Sequence, residues 1–138
     1  MKKADLISKI MTKNVVTLHK NDSLHDAEKL FKKYHIRHLP VVDHNKIIGI
    51  LSLTDLMRMS FCDSYGDSEN IDENIFDMLS VGEIMAAKPV SVSHDMNIRD
   101  VAALLATKEF HALPVVNKDK LVGIITTTDL LKYLVSRC

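Results

Sequence analysis

Neither sign of charge is in surplus: Lys and Arg number 18, Asp and Glu number 18, and the formal net charge is zero. A protein whose affinity comes from a nucleic-acid backbone or an anionic membrane needs an excess of cations, so this balance argues against both, a local basic patch aside. Cysteine is scarce. Cys62 and Cys138 stand alone, without CxxC spacing or a disulfide framework, and reduced thiols are expected. No stretch approaches the roughly 20 apolar residues that cross a bilayer. The opening Met1-Lys2-Lys3-Ala4-Asp5 leads into no apolar core with a small-residue cleavage site, so no membrane insertion is expected and the cytoplasm is the default. Also missing are a Gly-x-Ser-x-Gly elbow, a P-loop, a Gly-x-Gly-x-x-Gly turn and a paired-His metal motif. Enzymatic activity, a hydrolase included, is therefore not expected.

What is present is an ordinary globular composition, 46% apolar and 26% charged over 138 residues. A chain near this length buries about 70% of its unfolded surface, enough for one compact domain or two small halves. The stretch from Arg37 to Leu56 organises the rest. Two short β-branched runs, Leu39 to Val42 and Ile47 to Leu51, flank a polar turn at Asp43 to Lys46 and end in a Gly49-to-Asp55 segment that should open a helix. The same stretch returns 74 residues later, Asp129 standing against Asp55, as His111 to Leu130. The chain is one unit written twice.

Each copy predicts the same order of elements. Leu6, Ile7, Ile10 and Met11 give a short amphipathic helix over Asp5 to Met11, and Val15 to Leu18 a brief strand. Ser23 with Asp26 forms a capping-box pattern ahead of Leu24, Ala27, Leu30, Phe31 and Tyr34, a helix whose apolar stripe is expected to cover a sheet. Two strands follow, then a helix from Thr54 to Met59. In the second copy Ile84-Met85 answers Ile10-Met11, Val90 to Val92 answers Val16 to Leu18, and Asn97 with Asp100 answers Ser23 with Asp26. Ile98, Val101, Leu104 and Leu105 mark its covering helix, and Leu130, Leu131, Leu134 and Val135 its last one. Units of about 50 residues are marginal alone, so an intramolecular pair with pseudo-twofold symmetry is expected, its members packed through their sheets or closing helices. Between the copies, Met59 to Ala87 holds no Lys or Arg but seven acids, and Cys62 to Asn70 reads as a surface loop. A solvated connector is the expected role, cation binding the alternative. Ile71, Ile75, Phe76, Met78 and Leu79 suggest a helix packing back before the second copy.

Ser52-x-x-Asp55 and Thr126-x-x-Asp129 can each cap the helix that follows. The same carboxylates can also accept two hydrogen bonds from the vicinal hydroxyls of a ribose, with nearby Ser and Thr hydroxyls and helix N-terminal amides left to hold a phosphate. Capping and binding do not exclude each other. Metal binding by His35, His38 and His44 is disfavoured, because a helix end and a strand entry share no helical face.

The doubled layout, with Ile-Met before the first strand, Leu-Pro-Val-Val in the second and Gly-Ile-x-(Ser/Thr)-x-Thr-Asp-Leu at the close, resembles tandem cystathionine β-synthase (CBS) domains over about Ile7 to Met59 and Val81 to Arg137. That resemblance implies an α/β fold of two β-α-β-β-α units, with residues 1–60 as the first, 61–76 as an acidic linker and 77–138 as the second. It also implies a regulatory module, commonly a homodimer, that binds adenosine-containing ligands in clefts between the units and signals to a separate regulated protein. AMP, ADP or ATP come first among these ligands, with S-adenosylmethionine, NAD or coenzyme A as further possibilities. By the same resemblance Asp55 and Asp129 hold the ribose, and Ser52, Thr54, Thr126 and Thr128 line ribose and phosphate. Arg37, His38 and His111 face the phosphate, and the main chain at Val16 and Val90 meets the adenine edge. Arg58 and Lys132, one turn into the closing helices, add a cation to each copy. With Arg37, His38 and Arg58, the first copy is expected to favour phosphorylated adenosine more than the second, unless Arg37 is simply a solvated cation. The competing expectation is a ligand-independent dimerisation scaffold in which both acids serve only as caps.

Overall fold

The computed structural model describes residues 5–63, 76, 78–108 and 110–138. The chain divides into two compact units, and these are not the two sequence copies taken in order. One unit combines Val16–His44 with Ile48–Lys88, and the other combines Met1–Val15 and Asn45–Ile47 with Pro89–Cys138. Each is thus completed by the leading segment of the other's repeat. Sequence copies and compact units are divisions of different kinds.

In the unit of Val16–His44 and Ile48–Lys88, the expected strand at Val15 to Leu18 shrinks to one parallel bridge between Leu18 and Val41. Leu18 N–H donates to Pro40 O at 2.9 Å and Val42 N–H donates to Leu18 O at 2.8 Å, and no further rung forms. Helix α1 (Leu24–Tyr34) starts on a complete Ser23–Asp26 capping box and stops where His35 turns left-handed, at φ 52° and ψ 43°. Its stripe buries Leu24, Ala27 and Phe31. Strands β1 (His38–Asp43) and β2 (Lys46–Ser52) are neighbours in the sheet. The residues joining them, His44 and Asn45, both have positive φ, 51° and 67°, the hand that suits a two-residue hairpin. Helix α2 (Leu53–Asp63) runs one turn past the expected Met59. A single turn, α3 (Val81–Ile84), is tied back by Val81 N–H to Asp22 O and Gly82 N–H to Lys20 O, both 2.8 Å. Strand β3 (Ala86–Ala87) then pairs antiparallel with β2, Ala86 against Ile50. Leu18, Leu24, Phe31, Leu39, Val41, Leu51, Leu56, Phe76 and Val81 form the core. Of the helix expected before the second copy, Phe76 is buried and Met78 exposed, while Ile71 and Ile75 lie outside the described residues, as does most of the acidic stretch.

The other unit repeats this plan, completed by the leading segment of the first copy. The predicted helix over Asp5 to Met11 is only a 3-10 turn, Ile7–Lys9. Its ends are committed elsewhere: Ile7 N–H donates to Met96 O, Ile98 N–H to Asp5 O, and Thr12 exchanges both backbone bonds with Ile124 at 2.9 and 3.0 Å. Strand β4 (Val92–Ser93) is shorter than the expected Val90 to Val92, leaving Val90 45% exposed, and pairs parallel with β5 (Ala112–Asn117). Helix α4 (Ile98–Lys108) buries Ile98, Val101 and Leu105. Strand β6 (Lys120–Thr126) returns antiparallel to β5 through Lys118 and Asp119, again at positive φ of 51° and 71°. Helix α5 (Thr127–Arg137) closes the chain on a Thr126–Asp129 capping box. Leu130 and Tyr133 pack on the core, but Leu131, Leu134 and Val135 are 59%, 58% and 73% exposed, so most of the apolar stripe that marked this helix faces outward. Among the described residues no helix is long and apolar enough to cross a membrane.

Candidate functional site

Glycine and methionine explain why the leading segments go where they do. A Cβ built on Gly123 would lie 2.7 Å from Met11 Sδ and 2.9 Å from Thr12 O, and one on Gly49 would overlap Met85 Sδ. No side chain fits at either glycine while its methionine lies across it. The Ile-Met and Gly-Ile motifs of opposite copies are therefore two halves of one contact, which brings residues 84–86 alongside the end of β2 and the start of α2.

There an open cleft of about 550 Å³ is lined by Asp55, Arg58, Met59, Leu79, Glu83, Ile84, Met85 and Ala86. Asp55 sits in the first turn of α2, where its N–H donates to Ser52 Oγ at 3.0 Å. Arg58 Nη1 stands 3.6 Å from Asp55 Oδ1 on a largely exposed side chain, a screened pair of small energetic weight. The lining is apolar with two acids and one base, the mixed character of a small-molecule cleft. Arg37 approaches through its backbone, accepting from Leu53 N–H at 2.8 Å, while its side chain is exposed. Val16, Arg37, His38, Ser52 and Thr54 belong to this unit without lining the cleft; His38 is half-buried at the head of β1 and Thr54 is exposed.

In the other unit Asp129 is more heavily engaged. Its Oδ2 accepts from Thr126 N–H at 3.0 Å, its own N–H donates to Thr126 Oγ1 at 3.1 Å, and Thr12 Oγ1 lies 3.3 Å from both carboxylate oxygens. His111 O accepts from Thr127 N–H and Thr127 Oγ1 at 3.0 and 3.1 Å. Thr128, Lys132, His111 and Val90 are exposed. Thr12 and Thr127, together with Glu83, Met85 and Ala86 of the cleft, are residues that motif reasoning passed over. The signal for the cleft residues was the Ile-Met pair, visible as a repeat marker but silent about its partner.

The CBS domain profile matches residues 7–61 and again residues 81–136. The chain belongs to the CBS domain family. CBS relatives include the uncharacterized protein MJ0188 of Methanocaldococcus jannaschii, 33% identical over 95% of this chain and 44% of its own length. Among solved CBS structures, that of CBSX2 in complex with AMP superposes with a TM-score of 0.80 at 27% identity, covering 96% of this chain and 98% of that one. The CBS pair of protein MJ0100, in complex with 5′-methylthioadenosine and S-adenosyl-L-methionine, gives a TM-score of 0.80 at 26% identity, covering 98% and 99%. The chain spans only 22–47% of the first five curated relatives, one of them the L-aspartate semialdehyde sulfurtransferase of M. jannaschii, so such whole-protein names describe more than the CBS pair.

Proposed function

We propose that this CBS pair is a regulatory, non-enzymatic module that binds adenosine-containing ligands, with AMP, ADP or ATP as first choices, and passes its state to protein lying outside the two repeats. The observation that carries this reading is the cleft in which the Asp55 carboxylate, at the first turn of α2, meets an apolar wall of Met59, Leu79 and Met85. A carboxylate can take a ribose diol and the wall a purine face, while Arg58 supplies a cation for a 5′ phosphate. Relatives of the same fold whose structures hold AMP, or 5′-methylthioadenosine with S-adenosyl-L-methionine, support the ligand class. Regulation follows from differential affinity: a ligand bridging the start of α2 and the α3–β3 segment shifts conformation only by the difference in its binding to two arrangements. A thermal-shift panel of AMP, ATP, S-adenosylmethionine, NADH and coenzyme A tests it. A ligand at a hundredfold excess over its dissociation constant should add about 2.7 kcal/mol of stability, and a panel with no shift sinks the sensor reading.

A second reading, a ligand-independent scaffold that dimerises and docks, draws on the outward stripe of Leu131, Leu134 and Val135 and on the helix-cap bonding of Asp129. Self-association without any adenylate response would favour it. Homodimerisation itself is compatible with both readings.

A further inference from the structure

Thr12 and Ala86 occupy the same place in the doubled chain, and so do their pairing partners: Thr12 bridges Ile124 in one unit, and Ala86 pairs with Ile50 in the other. Sequence spacing makes the acids equivalent as well, Asp129 with Asp55. The surroundings of the two carboxylates nevertheless differ. Two backbone bonds to Ile124 fix Thr12, and its hydroxyl lies at equal distance, 3.3 Å, from both oxygens of Asp129. One of those oxygens already caps Thr126 N–H. At Ala86 there is no hydroxyl, and the cation beside Asp55 is the exposed Arg58.

A ribose diol presents two O–H donors to two carboxylate oxygens, so at Asp129 it competes with the Thr12 hydroxyl that lies against both of them, whereas at Asp55 no hydroxyl stands in the equivalent place and the neighbouring cation is the exposed, screened Arg58. The geometry points to Thr12 as a built-in competitor for the Asp129 carboxylate, and to Ala86 as the residue that spares Asp55 such a hydroxyl, so that the Asp55 half loads first. This rests on the adenosine-binding reading above. It makes the pair a graded device, in which one half responds at low ligand concentration and the other only at higher concentration. The net worth of one hydrogen bond sets the scale, about three- to tenfold in affinity.

The experiment isolates each half and titrates it calorimetrically with AMP and, in a parallel series, with 5′-methylthioadenosine, which share the diol and differ in 5′ charge. In an Asp55→Asn background, Thr12→Val removes the hydroxyl while keeping the side-chain shape. It should tighten binding by about three- to tenfold, and Thr12→Ser should stay at the parent affinity. In an Asp129→Asn background, Ala86→Thr should weaken binding by a similar factor. Unchanged or weaker binding on Thr12→Val overturns the inference, as does indifference to Ala86→Thr. If the unsubstituted protein takes up neither compound, the adenosine reading itself has failed, an outcome distinct from binding that ignores Thr12.

Discussion

The phenolic hydroxyl of Tyr133 donates to Asp5 Oδ2 across 2.7 Å, tying the leading segment to α5 over 128 positions of sequence. Arg137 Nη2 reaches the same oxygen at 3.0 Å, and Lys9 Nζ stands 3.6 Å from Oδ1. Asp5 is the one buried polar residue among those described, and its carboxylate has partners on both oxygens. The Tyr133 hydrogen bond, helped by Arg137 and Lys9, holds the Asp5 carboxyl below its ordinary value against the opposing effect of burial. The same bond raises the Tyr133 hydroxyl.

A pH dependence follows with a definite sign. The folded Asp5 is more acidic than the unfolded one, so its contribution is complete above the unfolded value near 3.9 and is lost as pH falls through the lower folded value. Tyr133 works the other way: its contribution is complete below the unfolded value near 10 and is lost as pH rises through the higher folded value. Melting temperatures of the protein and of Tyr133→Phe should differ most between about pH 4 and pH 10. Their curves should converge on acidification; a gap that persists unchanged to about pH 2, below the unfolded carboxyl range, would remove Asp5 as the cause.

Gly123→Ala should be costlier than Gly49→Ala. At Gly49 the first clash is with the flexible Met85 side chain, and Ala86 O lies at 3.1 Å. At Gly123 the added carbon would also meet Thr12 O at 2.9 Å, and that oxygen is fixed by its bond from Ile124 N–H. Overpacking of this kind costs about 1–3 kcal/mol, so urea midpoints should fall in the order parent, Gly49→Ala, Gly123→Ala. The reverse order would mean that the methionine contacts dominate.

The doubling, the hairpins and the capped helix at Ser23 were legible because each is local: β-branched runs around a polar turn, or a Ser three residues before an Asp. The exchange of leading segments was not. Met11 and Gly123 carry no mark that they belong together, and a close contact between distant copies leaves only two small motifs in the chain. Val15 to Leu18 reads as a strand from its β-branched residues, yet only Leu18 finds a partner, and the chain enters the stretch from Asn14 at a φ of 56°. The acids at Asp55 and Asp129 were singled out by pattern. Their different surroundings depend on Thr12 and Ala86, whose mismatch is visible in the repeat but acquires meaning only once β3 and the Thr12 bridge are in place.

Arg58 offers a test of what sits at the 5′ end of the ligand. A guanidinium that meets a phosphate contributes about 1.5–3 kcal/mol through a charge-assisted bond, and the exposure of Arg58 puts it at the lower end of that range. Arg58→Ala should therefore weaken AMP by roughly tenfold and leave 5′-methylthioadenosine unchanged, each read by calorimetry. Equal loss for both compounds would show that Arg58 acts by positioning Asp55 rather than by meeting phosphate.

Leu131, Leu134 and Val135 fall at i, i+3 and i+4 on α5, so they form one stripe rather than scattered exposures. Isolated apolar side chains on a surface need no explanation, but a helical stripe of three is the pattern of a buried helix face. If a second copy of the chain covers it, each copy presents the same stripe and the contact is self-complementary, as a twofold dimer requires. Leu134→Asp would then place two carboxylates in that contact, where they repel one another and cannot be hydrated. Sedimentation should report a dimer for the parent protein and a monomer for Leu134→Asp. Thr107→Asp, which adds the same charge at an exposed position on a different helix, α4, should remain dimeric. A parent that sediments as a monomer at all accessible concentrations would leave α5 facing solvent and take the dimer out of the account.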